Sequence, residues 1–300
     1  MREKRREERG ERREFVKKKS LGQNFLTSDR IPIRMAEELF NQNNQSASPS
    51  PYTLTTSPCA VLEIGPGLGI LTRQLAIRAE KVVAVELDEK LLPILNENFA
   101  DVKNVKFIHS DILKTDIRKI IAEEFSGHRY SVCANLPYYI TTPILLYLLE
   151  GDYGFESIML MVQKEAATRL LSPPSSEGYG AVNAILSYYG AAERLFNISA
   201  ACFSPKPKVD SAVIRIRPYK EKPVKPLDEN LMFRVIKAAF ESRRKTLLNS
   251  ISSAFPELSR DKVEEAISKT CSPALRGEVL NIKQFARISD EIHITFAKKN

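Results

Sequence analysis

Ala60-Val61-Leu62-Glu63-Ile64-Gly65-Pro66-Gly67-Leu68-Gly69-Ile70-Leu71-Thr72-Arg73-Gln74-Leu75-Ala76 decides the fold. The first five residues form an apolar run of the kind that makes a parallel strand buried on both faces. Glycine follows at alternate positions, and then a helical pattern begins at Ile70. Strand, tight turn and helix in that order open a doubly wound α/β sheet, and glycines in the turn let the backbone come close to a ligand. The spacing is G-x-G-x-G and lacks the third glycine of the dinucleotide fingerprint G-x-G-x-x-G, so a nucleotide-like cofactor without a pyrophosphate fits better than NAD.

Working outward, Lys81-Val82-Val83-Ala84-Val85-Glu86 reads as a second strand. It ends in a carboxylate 17 residues after Gly69, where such a fold places an acid on ribose hydroxyls. Val105-Lys106-Phe107-Ile108 is a third strand and leads through Ser110 to Asp111, an acid that would face a cofactor adenine from the same sheet edge. Tyr130-Ser131-Val132-Cys133-Ala134 is a fourth and runs into Asn135. Ligands of open α/β sheets bind at the carboxyl ends of the strands. One acid after one strand is ordinarily a solvated helix cap, but Glu63, Glu86, Asp111 and Asn135 fall at or near four successive ends, which predicts a cofactor pocket.

Asn135-Leu136-Pro137-Tyr138 lies about 70 residues after the glycine turn. Asn-x-Pro after a strand is also a common turn; its place beside a cofactor pocket gives it a second meaning. The exocyclic amine of adenine is a poor nucleophile because its lone pair is delocalised into the ring. An Asn oxygen and a free backbone carbonyl can both accept its hydrogens, and Pro137 biases Leu136 toward an extended backbone that offers its carbonyl. Tyr138 supplies a flat face for a flipped-out base. Together they read as an amine clamp with a stacking platform.

Three hundred residues with 43% hydrophobic content suffice for a full α/β core and a smaller second domain. The apolar stretch 140–149 is interrupted by Thr141, Thr142 and Pro143 and is too short to span a bilayer. Four cysteines stand singly, and three histidines do not cluster with them, so neither a disulfide framework nor a metal site is expected. The net charge of +8 favours a polyanionic partner, and +5 of it lies in residues 1–19, ten Lys/Arg against five Glu. That segment resembles neither a secretory signal nor an acid-poor transit peptide and reads as a tail that is disordered until bound. Residues 41–51 form a polar, Pro/Ser-rich loop to which no function is assigned.

Strands and helices alternate from Ala60 to about Phe196, which implies a mostly parallel sheet with helices on both faces. Residues 209–217 alternate like a final strand, 218–228 read as a Pro- and Lys-rich linker, and 231–251, 261–268 and 282–296 are helical in pattern. The expected boundaries are a tail 1–19, a sheet domain 20–218 and a helical domain 219–300.

Five ordered stretches resemble the S-adenosylmethionine-dependent rRNA adenine dimethyltransferases, the KsgA (RsmA) family. They are Leu21-Gly22-Gln23-Asn24-Phe25-Leu26, Leu62 to Gly69, Asn135-Leu136-Pro137-Tyr138-Tyr139-Ile140, Phe203 to Val213, and Arg243-Arg244-Lys245-Thr246-Leu247. The resemblance implies a Rossmann-like class I methyltransferase sheet with a small C-terminal all-helical domain that contacts RNA. It implies that Gln23 and Asn24 fold over S-adenosylmethionine with Leu26 beside them. Gly65 and Gly67 would pass under its methionine and ribose, Glu86 would bind the ribose, and Asp111 and Ile112 would flank its adenine. Asn135 and Leu136 would hold the target amine, with Tyr138 and Phe203 as the stacking pair. Lys206, Lys208, Arg243, Arg244 and Lys245 then become phosphate contacts, where basic residues on a helical stretch alone would mean a solvated face. The implied substrate is two adjacent adenines in the 3′-terminal hairpin loop of 16S rRNA, met in a small-subunit assembly intermediate by a monomeric, metal-free enzyme. Gln-Asn-Phe resembles the bacterial branch, which makes the cytoplasm the expected compartment. Three rivals share some of these features: the macrolide-resistance branch that acts on 23S rRNA, a non-catalytic nucleic-acid-binding relative, and a nicotinamide dehydrogenase. The last is disfavoured by the glycine spacing, and the second by the intact Asn135 and Glu86.

Overall fold

The computed structural model describes residues 25–40, 60–136, 140–242 and 244–297. The tail 1–19, Gln23, Asn24, the loop 41–51, Tyr138 and Arg243 lie outside the described residues.

β1 (Phe25–Leu26) pairs antiparallel with β8 (Phe203–Ser204), and Leu26 sits opposite Phe203. The main sheet contains β2 (Ala60–Ile64), β3 (Lys81–Glu86), β4 (Val105–His109), β5 (Tyr130–Asn135), β6 (Ile158–Gln163), β7 (Gly190–Ile198) and β9 (Ser211–Pro218). Its order is β4-β3-β2-β5-β6-β9-β7. β2 to β6 run parallel, while β9 is antiparallel to both β6 and β7. The chain winds outward from β2 through β3 to β4, then returns to lay β5 on the other flank of β2. The topological switch therefore falls between β2 and β5.

Covering both sheet faces explains the apolar strands. One face packs Leu62, Val83, Val132 and Leu160 against α4 (Ile117–Glu124), α5 (Thr141–Glu150) and α7 (Ala181–Tyr189). The other packs Val61, Val82, Cys133 and Met161 against α1 (Arg30–Phe40), α2 (Ile70–Ala76), Leu26 and Phe203. β9 shows why an alternating pattern need not mean a wet face. Ser211 to Ile216 are all buried because β9 is an interior strand, and Arg215 is compensated by Glu193 (Nε to Oε1, 2.9 Å) and the Glu38 carbonyl (3.2 Å).

Beyond the sheet, α8 (Glu229–Glu241), α9 (Leu247–Ala254), α10 (Arg260–Ser268) and α11 (Ile282–Ala297) pack on one another. The apolar interior is continuous from the sheet into these helices. Polar bonds reinforce the junction. Tyr188 and Tyr189 donate to Glu229 at 2.9 and 3.1 Å, and Tyr179 donates to the Leu280 carbonyl at 2.8 Å. The single helical pattern over 231–251 is in fact two helices. Thr246 adopts an extended backbone and its hydroxyl accepts from the Asn249 N–H, so a cap residue starts α9 afresh. The first amides of α9 are taken up by a neighbouring loop, Leu247 donating to the Leu275 carbonyl (2.7 Å) and Leu248 to that of Pro273 (3.2 Å).

Candidate active site at the sheet switch

Gly65, Gly67 and Gly69 all have left-handed backbone, with φ of 69°, 59° and 79°. Their reasons differ. Gly69 starts α2, and a Cβ there would lie 2.5 Å from the Phe99 ring, so its bareness serves packing. Gly65 and Gly67 form the turn itself. Gly65 donates to the Val85 carbonyl at 2.9 Å, and a Cβ on Gly65 would stand 3.8 Å from the Asn135 carbonyl oxygen. The glycine turn and Asn135 thus meet where β2 and β5 end, at the crevice that an open α/β sheet offers to a ligand.

Glu86 closes the next strand. Its Oε2 accepts from the Gly67 N–H (3.1 Å) and its Oε1 from the Asp88 N–H (2.9 Å). Each oxygen keeps a further lone pair for a ligand hydroxyl. Burial raises the carboxyl above its ordinary value, and the backbone N–H groups of Asp88 and Gly67 pull it back. The backbone carbonyl of Glu86 accepts from Ser110, which draws the loop after β4 to the same edge. There the Asp111 carboxylate caps a short 3-10 turn by accepting from the Leu113 N–H at 3.1 Å, and Ile112 is buried.

Glu63 lies deeper. It is 1% exposed, faces Cys133 across the strand pair, and neither carboxylate oxygen has a hydrogen-bond partner of ordinary geometry among the described residues. Burial pushes its pKa up to about 8, the Thr72 hydroxyl nearby lowers it, and the Glu86 charge raises it further. Glu86, held by backbone N–H groups with acceptor capacity to spare beside the glycine turn, suits a ligand that brings vicinal hydroxyls. The residues present fit a sulfonium nucleoside in this crevice.

Asn135 ends β5 half-buried opposite Met161, and Leu136 is buried in the core. Leu26 and Phe203, expected on the cofactor and the base, are brought face to face by the β1/β8 pair, and Phe203 is only 4% exposed. Thr27 reinforces this pair by donating both its N–H (2.9 Å) and its hydroxyl (3.1 Å) to the Cys202 carbonyl. Lys206, Lys208, Arg244 and Lys245 are exposed, with no ion pair among the described residues, and Arg244 and Lys245 occupy the turn before α9. Leu87 was not singled out in the sequence. It is 53% exposed directly after Glu86, and its carbonyl meets His109 Nε2 at 3.2 Å. An apolar residue left in water at the pocket edge is visible only once exposure is known. Among the described residues no group of three or more His, Cys, Asp and Glu could hold a metal ion, and no helix is long and apolar enough to cross a membrane.

The profile of the ribosomal RNA adenine dimethylase family matches residues 14–293. Ribosomal RNA small subunit methyltransferase A of Geobacillus sp. is 40% identical over 282 residues, 93% of this chain and 92% of that one. The protein of the same name from Alkaliphilus metalliredigens is 41% identical over 283 residues, 94% of each. Among solved structures, a dimethyladenosine transferase from Plasmodium falciparum superposes with a TM-score of 0.70 at 20% identity, covering 92% of this chain and 98% of that one. The 23S rRNA methyltransferase ErmE gives 0.62 at 23% identity, covering 90% and 100%. These two share the fold: a Rossmann-like class I methyltransferase sheet followed by a small helical region. Because the matched span runs nearly end to end and takes in the glycine turn, Glu86, Asn135 and Arg244, the chain belongs to the ribosomal RNA adenine dimethylase family.

Proposed function

We propose that this protein transfers methyl groups from S-adenosylmethionine to the N6 amines of adenines in small-subunit ribosomal RNA, forming N6,N6-dimethyladenine during subunit assembly. The names of its 40% and 41% identical relatives support the small-subunit target over the 23S alternative. The observation that carries the chemistry is the meeting of the Gly65 turn with the backbone of Asn135, since it sets a cofactor crevice beside the residue whose side chain is the proposed amine acceptor. S-adenosylmethionine, when bound, supplies an electrophilic methyl group and leaves as a neutral thioether.

The protein's own residues position and polarise. Glu86 takes the ribose hydroxyls, Asp111 and Ile112 flank the adenine ring of the cofactor, and Gln23, Asn24 and Leu26 cover it. The target adenine leaves its stack at a cost of a few kcal/mol, smallest in a loop. Tyr138 stacks on it, and Phe203, held by the β1/β8 pair, backs its other face. The Asn135 side-chain oxygen and the Leu136 carbonyl accept the two amine hydrogens, which reduces conjugation and turns the nitrogen lone pair toward the cofactor side. No strong base is needed, because the proton departs after transfer, so positioning supplies most of the rate. Lys206, Lys208, Arg243, Arg244 and Lys245 hold phosphates and orient the RNA without reading its sequence. Helices 219–300 form the RNA-contacting part beside the sheet domain 20–218.

Asn135→Ala tests the clamp. Cofactor and RNA affinities should stay within about threefold while single-turnover methyl transfer falls by roughly 100-fold or more, because the lost bonds form chiefly as the amine rehybridises. Transfer at the wild-type rate removes Asn135 from the reaction.

A further inference from the structure

Behind Asp111 stands a second tier of hydrogen bonds that the reaction as described does not use. The Thr115 hydroxyl donates to the Asp111 carbonyl at 2.8 Å and shares a 2.8 Å bond with the Ser110 hydroxyl. Thr115 is 7% exposed, so this bonding takes place out of water. Its own carbonyl accepts from the Tyr147 hydroxyl, again at 2.8 Å. Tyr147 belongs to α5, the helix that begins a few residues after Asn135 and Leu136. The loop 110–115 is thus pinned at both ends of the pocket, to β3 through the Ser110 N–H on the Glu86 carbonyl and to α5 through Tyr147.

The Asp111 side chain has one oxygen committed to the Leu113 N–H, and its other oxygen meets Lys114 Nζ at 3.9 Å. Lys114 is highly exposed, so that contact is loose and its oxygen is open to a ligand donor. Where this oxygen points depends on the backbone of a three-residue turn, too short to hold itself rigid.

We propose that Thr115 and Tyr147 are positioning residues that aim Asp111 at the exocyclic amine of the cofactor's adenine, and so set the enzyme's preference for an adenine over an oxo-purine cofactor. This rests on the proposed place of Asp111 beside the cofactor's adenine, with its loosely paired carboxylate oxygen accepting from the ring amine. Tyr147 also ties the aim of Asp111 to the helix that follows the amine clamp, so the cofactor end and the substrate end of the crevice share one support.

The test compares S-adenosylhomocysteine with S-inosylhomocysteine, in which the ring amine is replaced by a carbonyl, by calorimetry on the full-length protein. Wild type should prefer the adenine ligand. Thr115→Val and Tyr147→Phe should each reduce that preference by about five- to tenfold, the loss of roughly one hydrogen bond's selectivity. They should raise the KM for S-adenosylmethionine by a similar factor with kcat changed less than about twofold. Thr115→Ser keeps the hydroxyl and should restore the wild-type ratio, which a volume effect of Thr115→Val would not predict. Unchanged ratios in Thr115→Val and Tyr147→Phe, or a fall in kcat alone, overturn the proposal. Asp111→Ala separates the two levels. If it abolishes the preference while the support variants keep it, only the support is wrong; if it leaves the preference intact, the reading of Asp111 fails and this proposal with it.

Discussion

At the scale of single residues, two buried carboxyls a strand apart differ in how they are held. Glu86 is held by backbone N–H groups and keeps lone pairs to spare, so Glu86→Ala should weaken S-adenosylmethionine binding by about 10- to 100-fold, the worth of charge-assisted bonds to ribose hydroxyls, and leave RNA affinity unchanged. Calorimetry with the same affinity as wild type would exclude Glu86 from the site. Glu63 has no such support. Burial pushes its pKa up to about 8 in the folded protein, from 4.5 for an exposed glutamate. Between those pH values the folded state holds a proton that the unfolded chain has released, so Glu63 makes stability decline as pH rises from about 4.5 to about 8. Below that window both states are protonated, and above it both are ionised. Glu63→Gln cannot ionise and should flatten the decline, gaining on wild type by on the order of 2 to 4 kcal/mol between pH 5 and pH 8.5. Urea unfolding at several pH values reads this directly; parallel pH profiles for the two proteins rule it out. Glu63 at a strand end was readable in the sequence. That it lies wholly inside, opposite Cys133, was not, because a parallel strand buried on both faces gives no periodic clue to which side chain meets a ligand.

Elements show where local pattern and tertiary context part. β2 with its glycine turn and α2 follow from the sequence alone, since an apolar run, positive-φ glycines and a helical period coincide there. The break between α8 and α9 does not. Residues 231–251 carry one helical period, yet Thr246 caps a new helix and the carbonyls of Pro273 and Leu275, remote in sequence, receive its first amides. As a consequence Arg244 and Lys245 sit on a turn instead of a helix side, free of ion pairs among the described residues. Changing Arg243, Arg244 and Lys245 together to Ala should weaken RNA binding and lower the slope of log affinity against log salt by about 2 to 3, at roughly 0.7 to 0.9 per phosphate contact. Cofactor binding should not move. Equal slopes for the variant and wild type would mean that the three side chains are only solvated surface.

For the whole molecule, charge is divided unevenly. Residues 1–19 carry ten Lys/Arg against five Glu, residues 219–300 carry 16 Lys/Arg against 11 Asp/Glu, and the sheet part between them is close to neutral. The net positive charge that attracts a polyanion therefore resides at the two ends of the chain, while the proposed reaction crevice lies at the sheet switch between them. Deleting residues 1–17 should slow association with RNA at low salt by a few-fold, an effect that fades as salt screens it, with maximal turnover and the set of methylated adenines unaltered. Stopped-flow association and mapping of methylated adenines check both halves; a changed methylation pattern would place the tail inside the site. By itself the sequence determined the sheet class, the acids and the Asn at successive strand ends, the family and the helical C-terminal region, because each rests on local signals: period, turn chemistry and motif residues contiguous in the chain. Tertiary structure alone decided that β2 and β5 are neighbours, so that Gly65 meets Asn135. It also set Leu26 against Phe203, buried both faces of β9, and seated Tyr147 behind Asp111. These are contacts between residues dozens of positions apart, and strand order, which no local pattern encodes, brings them together.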